Sequence, residues 1–166
     1  LVNSFVGGLQ NGQSDVFSRT LNSINFPITP IYSKNLETDA ANIEIQIPSS
    51  YKHLLIFSSE RCTAAGSAIE SLLARFNSDS GTNYETQVLY GIISSAGTQT
   101  SSITTSAIVG GLPQSSATAG KCGSGFVFLP NYNEGLYKTL LSLVNPGADA
   151  NIFVQSGVWK STSAVK

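Results

Sequence analysis

Leu72-Leu73-Ala74-Arg75-Phe76-Asn77-Ser78-Asp79-Ser80-Gly81-Thr82-Asn83-Tyr84 decides how this chain is read. A hydrophobic run enters a turn of Asn, Asp, Ser and Gly and leaves it on an aromatic residue. Asn and Asp bond their own backbone in turns and Gly81 is expected to supply a positive φ, so the segment reads as strand, turn, strand. Upstream, Ile43-Glu44-Ile45-Gln46-Ile47 alternates strictly, as a half-buried antiparallel strand does, and ends at Pro48, which cannot donate to a ladder. Further strands are expected over residues 53–58, 72–76, 86–93, 102–109, 125–129, 137–144 and 152–159, about eight in all. Ser, Gly, Asn and Pro fill the intervals 78–83, 94–99, 110–122 and 145–151, and residues 62–73 read as a loop feeding a strand. Regular short strands punctuated in this way predict an all-β, antiparallel β-sandwich, jelly-roll-like in plan. Its core is expected from Ile43, Ile45, Ile47, Leu55, Phe57, Leu73, Phe76, Val88, Phe126, Phe128, Leu141, Val154 and Trp159. Gly110-Gly111 and residues 115–120 read as a mobile tip.

The chain divides at about residue 40. Over 1–40, Gly7-Gly8, Asn11-Gly12 and the prolines of Phe26-Pro27-Ile28-Thr29-Pro30-Ile31 favour extended backbone. Phe5, Phe17, Leu21, Ile24, Phe26 and Ile31 are too scattered to bury one another, so residues 1–40 are expected to be an extended N-terminal arm docking on the sandwich of residues 41–166 or on a neighbouring subunit.

With 166 residues the chain needs one domain. Charged residues are 11%, against about 25% in ordinary soluble domains. The 38 serines and threonines therefore carry the surface polarity. A net charge of -1 with singly scattered Lys and Arg gives no footprint for nucleic acid, and no apolar run approaches the ~18 residues of a membrane span.

Catalytic constellations are poor. The single histidine, His53, sits inside an alternating strand between Lys52 and Leu54 and reads as structural. Gly123-Ser124-Gly125 has the wrong spacing for a nucleophile elbow, no phosphate loop or zinc motif occurs, and the ten carboxylates are dispersed rather than paired. The 77–83 turn resembles a calcium loop only loosely, since the position that should hold the closing Glu is Val88. Trp159 with Tyr51, Tyr84, Tyr90, Tyr132 and Tyr137 would suit sugar stacking, but a small sandwich needs such rings for its core. No enzyme activity, cofactor or metal is expected.

Five segments resemble, in order, signatures of a family of small bacteriophage virion proteins. Ile47-Pro48-Ser49-Ser50-Tyr51-Lys52-His53-Leu54-Leu55-Ile56 is similar to its "IPSxYxHLxI", residues 72–84 to its "LRFNGDTGxNY", and Val88-Leu89-Tyr90-Gly91 to its "LYG". Phe128-Leu129-Pro130-Asn131-Tyr132 with Tyr137-Lys138-Thr139 resembles "IPNYxxxxYKT", and Gly157-Val158-Trp159-Lys160-Ser161-Thr162-Ser163-Ala164 resembles "GLWxSTxA". The resemblance covers residues 43–166 and implies a non-enzymatic structural protein on the virion exterior. A capsid decoration (cement) protein is favoured, contacting the major capsid protein or other virion proteins and forming a homo-oligomer, a trimer. The alternative is a tail- or head-fibre module that recognises a host surface glycan. In a protein folded in a reducing cytosol, Cys62 and Cys122 are expected to stay unpaired.

Overall fold

The computed structural model describes residues 2–4, 28–66, 69–147 and 151–166. Among these residues there is no helix, and ten strands are formed: β1 (Val2–Ser4), β2 (Lys34–Leu36), β3 (Leu54–Glu60), β4 (Ile69–Ala74), β5 (Tyr84–Ile92), β6 (Ser95–Thr104), β7 (Ala107–Pro113), β8 (Gly123–Leu129), β9 (Lys138–Asn145) and β10 (Ile152–Trp159). Six of them make one antiparallel sheet in the order β3-β8-β9-β10-β5-β6, β4 pairs with β7 in a second sheet, and β1 pairs with β2. The all-β antiparallel sandwich expected from the sequence is the observed architecture.

The two-stranded β4-β7 sheet lies over one face of the large sheet, and Ile31, Ile47 and Tyr51 pack beside it against the same core. Between the layers sit Leu54, Val109, Val127, Leu129, Leu140 and Trp159, all buried. β9 states the geometry most simply: Lys138, Leu140, Ser142 and Val144 point inward while Thr139, Leu141, Leu143 and Asn145 point outward, the period of two that a pleated strand imposes.

Several expectations change. Residues 43–47 keep their alternation, with half-buried isoleucines and exposed Glu44 and Gln46, but form no strand. The pattern there records a segment lying along the core, not a ladder. Residues 94–99, expected as a loop, belong to the hairpin of β5 and β6, which turns at Ile93-Ser94 with Ile92 opposite Ser95. That turn uses no left-handed residue, so no Gly or Asn announces it. The expected strand over 102–109 is broken at residues 105–106 between β6 and β7.

The tip expected at Gly110-Gly111 is instead buried strand in β7. Gly111 is needed for close packing, because a Cβ there would come within 3.0 Å of Phe153 and 3.1 Å of Ile69. The 115–120 run is tied down by Arg61, whose guanidinium donates to the carbonyls of Ser115, Ala117, Thr118 and Lys121 at 2.7–3.3 Å.

Candidate functional site

Residues of 47–56, 72–84, 128–132 and 157–165 meet at one end of the core, whereas 88–91 lies at the far end of β5, opposite Ile152–Gln155. Phe76, Tyr84 and Trp159 stack with ring centroids 5.5–6.3 Å apart, and all three are buried. The turn between Phe76 and Tyr84 is closed by Asp79. Its Oδ1 accepts from the Gly81 N–H at 2.8 Å, and its Oδ2 accepts from Asn83 Nδ2 at 3.0 Å and Trp159 Nε1 at 2.6 Å. Donors satisfy the charged form, led by Trp159, and hold the carboxyl below its ordinary value. The left-handed residues of this turn are Asn77 and Ser78, at φ 53° and 56°, and not Gly81 as expected. A Cβ at Gly81 would lie 2.8 Å from Asn83 Nδ2 and 3.0 Å from Asp79 Oδ1, so it would displace the side chains that close the turn.

Asn77 reaches the C-terminal segment, donating from Nδ2 to Ala164 O at 2.7 Å and accepting from the Lys166 N–H at 2.8 Å. Tyr132 is fully buried, and its hydroxyl donates to Pro48 O. The Val165 N–H in turn donates to Tyr132 O at 2.9 Å. These motif residues are knots that fix chain ends and turns. Of the aromatic rings expected to serve the core, Tyr84, Tyr132 and Trp159 are buried, while Tyr137, 58% exposed, lies outside it. His53 has a structural setting as well: its Nδ1 accepts from the Asn131 N–H at 3.3 Å and its ring lies 6.0 Å from Phe128.

Two further buried ionisable groups serve the fold. Glu60 is inward-facing, with Ser58 Oγ donating to it at 3.0 Å, and burial raises its pKa. Lys138 is 1% exposed; its Nζ donates to Glu134 O at 2.6 Å and to Leu136 O, and burial lowers its pKa. Among the described residues no group of three His, Cys, Asp or Glu could hold a metal. Cys62 and Cys122 are free thiols. Of the arm residues, Ile31 is half-buried against the chain's own core, while Phe5, Phe17, Leu21, Ile24 and Phe26 lie outside the described residues.

The unusual surface is the outer face of the six-stranded sheet. Cross-strand register lines up Phe57, Phe126, Leu143, Val154 and Leu89 in one unbroken row over β3, β8, β9, β10 and β5. The neighbouring row begins Leu55, Phe128, Leu141 and then turns polar at Ser156, Gln87 and Thr100. Leu89 is 53% exposed, Leu141 48% and Phe57 40%. A shallow depression of about 530 Å³ opens where Phe57, Phe126, Leu143 and Ile152 meet. Glu85 is the one charged side chain that the described strands place on this face, and Lys160 Nζ pairs with it at 2.5 Å.

Here the expected core is corrected. Leu55, Phe57, Phe126, Phe128, Leu141 and Val154 lie on the outer face, and Leu73 of β4 is 55% exposed. Phe76, Val88 and Trp159 are buried as expected. The observed phase differs by one residue from that expected because β3, β8 and β9 are apolar on both faces, and because Lys138, Ser142 and Gln155 occupy inward positions. A strand with two apolar faces is itself the missed signal: an antiparallel sheet solvated on one side alternates cleanly, so its failure to alternate marks a face meant to be covered.

Comparison with known proteins finds no matching family model, curated protein or solved structure.

Proposed function

We propose that this chain is a non-enzymatic structural protein of a bacteriophage virion, a capsid decoration protein on the particle exterior that contacts the major capsid protein or another virion protein. The observation that carries the reading is the apolar row across five strands of a sheet face on which the described strands place one charge, Glu85. Contiguous exposed apolar surface of this kind marks a face that protein–protein contact covers, by a second copy or by another chain, and a molecule organised around such contacts suits assembly better than chemistry. The five segments similar to small virion proteins supply the setting.

The test is to purify particles of the phage that encodes the chain, measure its copy number by quantitative mass spectrometry and locate it by electron cryo-microscopy. Many copies at regular positions outside the shell are expected. Its absence from intact particles, or confinement to fibre tips, would overturn the assignment.

A further inference from the structure

We propose that the outer face of the six-stranded sheet is a self-association surface, and that its occupant is the same face of a second copy of this chain. Size is the first argument. Six strands about 4.8 Å apart and roughly eight residues long at about 3.3 Å each present on the order of 750 Å², close to the ~800 Å² per partner of a stable interface. The apolar part of the face is continuous, running from the edge strand β3 through β8 and β9 to Val154 and Leu89, with Ser, Thr and Gln on the β5-β6 side.

Charge decides between occupants. A different protein is usually selected by complementary charge, and this face has none to offer, since its one carboxylate, Glu85, is already neutralised by Lys160. A twofold contact sets the same patch against itself, so that any charge near the axis meets its like. A charge-free centre is what that symmetry requires. Leu143 and Val154, on the central strands β9 and β10, then lie near the axis. Two such faces stack as aligned sheets about 10 Å apart. An isologous contact closes at two subunits, so this face builds a dimer and cannot by itself build the expected trimer.

The proposal concerns the chain in buffer and stands or falls separately from its place in a virion. Sedimentation of the full chain over roughly 1 to 100 µM is expected to show a dimer that dissociates on dilution. Leu143→Lys should weaken association by roughly 100-fold or more, because it places like charges at the axis, with far-ultraviolet circular dichroism and melting unchanged in the monomer. Leu143→Glu should do the same, and mixing the two variants should restore a dimer containing one of each. If Leu143→Lys fails to fold, Leu141→Lys, two residues away on the same strand and face, serves in its place. A wild-type monomer at about 100 µM, a trimer, or a dimer indifferent to these changes would each overturn the proposal.

Discussion

Asp79 gathers N–H donors from Gly81, Asn83 and Trp159, and so ties the turn to the buried end of β10. Its carboxyl ionises at lower pH folded than unfolded. The stability this confers is present above the unfolded value near 4 and is lost as pH falls through the lower folded one. Asp79→Asn should flatten the acid limb of stability against pH, read by Trp159 fluorescence during urea unfolding. An unchanged limb would show that the charge does not matter. Glu60 works in the opposite sense. Burial raises its pKa, so ionisation costs stability as pH rises through the folded value. Glu60→Gln should raise the melting temperature at pH 7 and leave it nearly unchanged around pH 4; no gain at pH 7 would contradict the assignment. Phe76→Ala removes a ring packed on Tyr84 and Trp159 and should cost about 3–5 kcal/mol in denaturant unfolding. A loss under about 1 kcal/mol would place that ring outside the core.

At the scale of elements, Arg61 shows how a glycine- and serine-rich run becomes ordered. One guanidinium bonded to four carbonyls replaces the ladder that residues 115–121 lack. Arg61→Ala should speed proteolysis and amide exchange within that loop while leaving β5 and β10 protected, and unchanged exchange would refute the role. This clasp spans more than fifty residues of sequence, so no local pattern announces it. What local patterns did announce was strand identity: β5, β8, β9 and β10 fall where runs of Val, Leu, Phe and Thr place them. The phase of the strands was hidden, because Leu140 and Leu141, or Phe126 and Val127, are equally apolar neighbours on opposite faces. The β5-β6 turn was hidden for want of a glycine, and Ile43–Ile47 misled because half-burial alternates with or without a ladder. The candidate site was legible only as residues of the right kind given the wrong side.

Both faces of the large sheet are apolar, and among the described residues only one is covered, by β4-β7 together with Ile31, Ile47 and Tyr51. The inner face tolerates Ser142 and Gln155, with Ser142 Oγ donating to Gln155 Oε1 at 2.5 Å, while the outer face carries the phenylalanines and leucines that a core would otherwise claim. That inversion is the physical basis for reading the chain as an assembly protein. The most direct measurement compares Leu140→Ala with Leu141→Ala in urea unfolding at or below about 1 µM, where association adds least. Leu140, buried at 3% exposure, should cost about 2–5 kcal/mol, and Leu141 less than about 1 kcal/mol. A larger loss at Leu141 than at Leu140 would put the apolar face inside and contradict the account.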